Sequence, residues 1–198
     1  MTSPADDDPR PFFLRVIDQL EQLAATVTPE QLAAASVLPG WDTRTLIGHI
    51  VGDIHRVAYG GEGGRLLDVA AMAGRIADDD WAGAVHRARV RAAVAWADDA
   101  KLVGSYTAAW GQVTGAMALR GYVMELGTHT WDLVQSVDPA AELDDELGAM
   151  ALAAARQIAP ADHRDAGGSF GPVQPVPDDA GVYDQLAGWL GRKVRTAS

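Results

Sequence analysis

Apolar residues that recur every three or four positions, in one stretch after another, leave this chain few options besides a bundle of helices. Phe12, Phe13, Val16, Ile17, Leu20 and Leu23 make the first such stripe, which predicts a helix ending near Val27. Thr28-Pro29-Glu30-Gln31 then starts a short second helix to about Ala35, with Thr as N-cap, Pro at the first helical position and Gln closing a capping box. After the loop-forming Pro39-Gly40, Asp42 is placed to cap a helix from about Thr43 to Tyr59, ended by glycines. Residues 65 to 76 are read as one or two helical turns with no assigned role. Asp80 as N-cap opens a helix that lines up Trp81, Val85, Ala88, Ala92, Ala95 and Trp96 and ends near Asp99.

Residues 101 to 113, KLVGSYTAAWGQV, have no helical period and read as a structured loop or a short extended piece. Thr114 caps a long helix that Asp138-Pro139 stops after Val137. Another follows over about 142 to 158. The Gly-, Pro- and Asp-rich residues 159 to 178 form a long loop of the kind that often walls a site, and a last helix covers about 179 to 192. Four long helices with short additions make an all-α helical bundle in one domain over 1–198, with residues 1–10 as a flexible lead.

Charge and cysteine usage exclude whole classes of function. With 27 acidic against 16 basic residues the chain has a formal charge of -11, which repels phosphate backbones and makes nucleic acid a poor partner. No cysteine is present, so disulfides, thiolate nucleophiles and sulfur-ligated metals are out, and any metal must be held by nitrogen and oxygen. The acidic, Pro-containing start is no secretion signal, and no run of about 18 apolar residues follows. A cytoplasmic protein with no membrane partner is expected.

One polar group stands out on the apolar helix after Thr114. Glu125 and His129 are four residues apart and so lie about 40° apart around the helix axis, able to reach a single ion. Alone, such a pair is far more often a surface pair or a satisfied buried contact worth a few tenths of a kcal/mol. A third ligand would come from another helix, and His49, on the stripe of Leu46, Ile50 and Asp53, is the best candidate. Asp53 could be a further ligand or an acceptor that orients an imidazole, and Asp132 could orient His129 in the same way.

Other residues receive blander readings. His55 faces away from His49, His86 lies beside Arg87 and Arg89 on a solvated face, and His163 sits in the long loop. Trp41 and Trp131 read as packing. Residues 60 to 64, GGEGG, lack the Lys-Ser/Thr of a phosphate loop, and neither Ser105 nor Ser169 has a nucleophile elbow around it.

These residues carry a resemblance. LPGWDTRTLIGHIVGD resembles the PGW-x-x-R-x-L-x-x-H block of the mycothiol-dependent maleylpyruvate isomerase family, in the wider DinB-like superfamily of metalloenzymes, and MELGTHTWDLVQSV resembles its second block, D/E-L-x-x-H-x-W-D-L. The tail FGPVQPVPDDAGVYDQLAGWLGR is similar to the ending of actinobacterial members. The resemblance implies a DinB-like four-helix bundle holding a divalent metal, zinc first, on His49, Glu125 and His129. It also implies chemistry in which the metal activates a low-molecular-weight thiol such as mycothiol for transfer to a small electrophile, or for isomerisation. A metal-bound water would make a hydrolase by the same logic. Because bundles of this kind often pair, a homodimer is an open alternative. The rival reading is a non-catalytic protein on the same bundle that binds a metal or small ligand or regulates a partner.

Overall fold

In the computed structural model, which describes residues 8–163 and 170–194, eight α-helices and one two-stranded hairpin follow each other along the chain. Helix α1 (Arg10–Ala24) buries Phe13, Val16, Ile17, Leu20 and Leu23, the face its periodicity predicts. It begins inside the expected lead, where Asp8 Oδ1 accepts from Arg10 N at 2.9 Å. It stops three residues short of Val27. Helix α2 (Pro29–Leu32) has the predicted capping box on Thr28 and Gln31, and α3 (Thr43–Gly61) starts at Asp42, whose carboxylate accepts from Thr45 N at 2.7 Å.

Helix α4 (Trp81–Ala95) starts where expected, with Asp80 at its N-cap position. Asp80 makes no side-chain cap, because its carboxylate is taken by Arg87 at 2.7 Å. A single turn, α5 (Ala100–Val103), then leads into strands β1 (Ser105–Ala108) and β2 (Gly111–Thr114), paired antiparallel with Ser105 opposite Thr114 and Ala108 opposite Gly111. The segment read as a loop or extended piece is therefore a hairpin. Gly111, at φ +126°, makes its tight return possible. Its aromatic residues dock inward: Tyr106 lies 5.0 Å from Trp96, and Trp110 lies 6.0 Å from Tyr122, ring centre to ring centre.

Helix α6 (Gly115–Val137) runs the predicted length from the Thr114 cap. Helix α7 (Asp145–Ile158) starts at the Asp144 cap, later than its apolar pattern suggests, and α8 (Val182–Trp189) is shorter at both ends than the 179–192 expected. Helices α1, α4, α3 and α6 close a four-membered ring, each packing on the next, with α7 against α6 and α1 and with α8 against α7 and α6. Helix α6 is thus covered from several sides. Its polar residues must be paired there, since an unpaired polar group in such a place costs about 1–3 kcal/mol. Thr128 and Thr130 achieve this by bonding back to the carbonyls of Met124 and Leu126, each at 2.8 Å. Among the described residues no helix is long and apolar enough to cross a membrane.

A candidate metal centre between two helices

Four ligand-type side chains meet at the seam of α3 and α6. His49 and Asp53 come from α3, Glu125 and His129 from α6, and one donor atom of each lies within 4.8 Å of all the others. His49 Nε2 is 3.2 Å from Asp53 Oδ2 and 3.9 Å from Glu125 Oε1, while His129 Nε2 is 3.4 Å from Glu125 Oε1. Donors at 2.0 to 2.2 Å from one tetrahedral ion stand about 3.4 Å apart, so these spacings are close to what such an ion needs. The two imidazoles face each other edge to plane, 4.8 Å between centres.

Each histidine is turned by a bond on its far nitrogen. His49 Nδ1 is 2.8 Å from the carbonyl of Ala71, and since a carbonyl only accepts, Nδ1 carries the hydrogen and Nε2 offers its lone pair to the cluster. His129 Nδ1 donates in the same way to Asp132 Oδ2 at 2.9 Å. Both patterns are those of metal-binding histidines held by an outer partner. Trp41, expected as a packing residue, is only half-buried and sets its ring 5.2 Å from that of His49, as a wall of the cluster.

The Ala71 carbonyl reaches His49 because two glycines let the chain lie flat on α3. A Cβ on Gly48 would come within 2.7 Å of Ala73 O, and one on Gly52 within 2.6 Å of Ala71 C. Ala73 N also donates to Gly48 O at 2.8 Å. Residues 65 to 76, given a helical turn or two by the sequence, thus contribute one such turn at Leu66–Asp68 and then an irregular stretch whose Ala71 carbonyl reaches the site.

The electrostatics favour a cation. Burial raises the Asp53 carboxyl to about 6 against the pull of His49, and its Oδ1 is buried with no hydrogen bond, Arg56 Nη1 standing 3.5 Å away. Burial works against charge on Glu125 too, but the His129 and His49 imidazoles beside it outweigh it and hold the carboxyl well below the usual range. For His129, burial opposes the proton, yet bonds to Asp132 and Glu125 win and raise the imidazole to about 10. With Asp53 Oδ2 turned toward His49 Nε2, the cluster offers two imidazole nitrogens and two carboxylates, a donor set that fits a divalent ion.

The sequence-predicted residues His49, Glu125 and His129 come together here with Asp53, and Asp132 stands behind His129. The outer partners Ala71 and Arg192 had no local signal, because one offers a main-chain atom and the other lies 60 residues from Asp132. His55 and His86 stay outside, paired with Arg91 at 3.3 Å and Glu21 at 3.2 Å. The His163 side chain and Ser169 lie outside the described residues.

The sequence profile for the mycothiol maleylpyruvate isomerase N-terminal domain matches residues 13–134, a span that includes all four cluster residues. Two proteins of Mycobacterium tuberculosis strains, both described as uncharacterized, are each 31% identical to this chain over 191 residues, covering 95% of it and 100% of the relative. Among solved structures, the mycothiol-dependent maleylpyruvate isomerase superposes with a TM-score of 0.58 at 16% identity over 78% of this chain and 70% of that one. A mutant of that enzyme with one histidine replaced by alanine gives 0.58 at 15% identity and the same coverage. At such identities the likeness concerns the fold, which is that of the isomerase.

Proposed function

From the chain's membership in the mycothiol maleylpyruvate isomerase N-terminal domain family, we propose that this isomerase-like protein is a divalent-metal-dependent enzyme, which transfers a low-molecular-weight thiol of the mycothiol kind to a small electrophile or uses it for isomerisation. The observation that carries the reading is the convergence of His49 Nε2, Glu125 Oε1 and His129 Nε2 from two helices, with Asp53 beside them. His49, Glu125 and His129 would hold the ion, zinc by their donor type. When bound, such an ion supplies the Lewis acidity that turns a neutral thiol or water into its nucleophilic anion near neutral pH.

The chain's own residues account for the rest. Asp132 and the Ala71 carbonyl fix the two rings. Asp53, whose Oδ2 sits 3.2 Å from His49 Nε2 and whose proton affinity is raised to about 6, can hold a proton released by an arriving thiol. A chain without cysteine has no thiol of its own to offer, so the thiol arrives as a co-substrate. A cytoplasmic site of action fits that co-substrate.

Metal analysis by mass on the purified chain and on His49→Ala tests the site. One equivalent of divalent metal in the first and none in the second is expected, and equal content in both would overturn the ligand set. Incubating the loaded chain with mycothiol and a panel of electrophiles, and following both loss of free thiol and conversion of the electrophile, tests the reaction. Metal without turnover would favour the non-catalytic binding protein.

A further inference from the structure

Two consecutive residues of α6 grip the two ends of α8. Trp131 Nε1 donates to Asp184 Oδ1 at 2.7 Å, in the first turn of α8, while Asp132 accepts from Arg192, just past its last turn. That far end is a Schellman turn: Gly191 takes φ +90°, Arg192 N donates to Ala187 O at 2.8 Å and Gly191 N to Gly188 O at 3.1 Å. A Cβ on Gly191 would also stand 2.7 Å from the Gly171 Cα. The reversal aims Arg192 back at α6.

The grip on Asp132 is two-pronged. Arg192 Nε bonds Oδ1 at 3.1 Å and Nη2 bonds Oδ2 at 2.9 Å, while Oδ2 also takes the Nδ1–H of His129. The Asp132 side chain is wholly buried and that of Arg192 is 19% exposed. A carboxylate held by His129 alone could rotate and leave one oxygen bare in the core. The planar fork of a guanidinium fixes both oxygens at once, which a point charge does not do.

We propose that Arg192 is a positioning residue of the metal centre: by locking the Asp132 carboxylate it fixes the His129 ring and the place of Nε2, so that the turn ending α8 is part of the site. This rests on the metal reading given above. It gives the Trp131-Asp132 pair a joint task, since one residue docks the start of α8 and the other uses its end.

The test is Zn²⁺ titration of the full-length chain against a competing chelator, for wild type, Arg192→Met, Arg192→Lys and Asp184→Ala, with thermal unfolding of the metal-free forms alongside. Loss of an outer partner costs about 10- to 100-fold in metal affinity, and that rise in Kd is expected for Arg192→Met. Arg192→Lys should recover little of it. Asp184→Ala loosens α8 without touching Asp132 and should bind near the wild-type level. Wild-type affinity in Arg192→Met would overturn the proposal, and so would an equal loss in Asp184→Ala, which would assign the effect to α8 docking at large. Should Arg192→Met fail to fold, Arg192→Lys decides, a raised Kd supporting the proposal and an unchanged one refuting it. A wild-type chain that takes up no Zn²⁺ overturns this and the metal reading together.

Discussion

His129 and Asp132, one turn apart on α6, share a 2.9 Å bond from Nδ1 to Oδ2 that leaves His129 Nε2 facing Glu125 Oε1 at 3.4 Å. One imidazole is thereby held between two carboxylates in a buried place. What such a pair binds, a proton or a metal ion, decides how the site responds to its surroundings.

Metal uptake should release a proton. In the metal-free chain Asp132 and Glu125 keep His129 protonated up to about 10, and a ligand nitrogen needs its lone pair free. Affinity should therefore rise with pH, by about tenfold per unit where one proton is displaced. The linked stability has the opposite sense: a folded value above the ordinary 6.5 gives the metal-free chain stability that is full below 6.5 and lost as pH rises through about 10. Zn²⁺ titrations and thermal melts at several pH values measure both slopes, and an affinity indifferent to pH would remove His129 from the ligand set.

Asp53→Asn should separate folding from binding. The buried Asp53 carboxyl, raised to about 6 from 3.8, favours the fold below 3.8 and loses that advantage as pH climbs through about 6. At neutral pH the metal-free variant should thus melt higher than the metal-free wild type, while binding Zn²⁺ about 10- to 100-fold more weakly. Calorimetry at acid and neutral pH checks the first part, since the gain should vanish in acid.

Gly52→Ala should damage fold and site together. Its new methyl would meet Ala71 C, Ala71 O and Met72 N at 2.6 to 2.8 Å, all main-chain atoms that cannot swing aside. Overpacking of this kind costs about 1–3 kcal/mol, and the displaced Ala71 carbonyl would release His49, so Zn²⁺ affinity should fall as well. Gly74→Ala, with nothing within 4 Å of the added carbon, is the control and should leave both unchanged.

Lys101→Met should destabilise the chain without touching the site. Lys101 Nζ donates to Gly61 O and Ala95 O, each at 2.6 Å, and so ties the last turns of α3 and α4 together. Hydrogen bonds from a charged donor are worth about 1.5–3 kcal/mol each when well formed. For this half-buried pair a loss of about 1–3 kcal/mol in denaturant unfolding is expected, with Zn²⁺ affinity unchanged.

The helices that carry the ligands were legible because period and caps agreed. Thr114, Asp42 and the Thr28-Gln31 box each mark a true start, and the stripe of Leu46, Ile50 and Asp53 does face inward. Asp80 marks a true start too, although its carboxylate bonds Arg87 in place of the helix amides, since a cap competes with any guanidinium within reach. The hairpin escaped because four-residue strands show too little alternation to be told from a loop. Spacing on one helix exposed Glu125, His129 and Asp132 as a set, whereas the outer support from Ala71 and Arg192 depends on tertiary contacts that no local pattern records.

The flat run of residues 71 to 73 on Gly48 and Gly52 bears on how the protein can be re-engineered. The connection from α3 to α4 has two parts with unequal tolerance to length change. Around Gly63, where a Cβ would meet nothing, added residues bulge into solvent. From Ala71 to Ala73 the backbone is in register with α3 through the Ala73–Gly48 bond, so one inserted residue would present a different carbonyl to His49. A library that varies this connection should randomise the first part and leave the second as it stands.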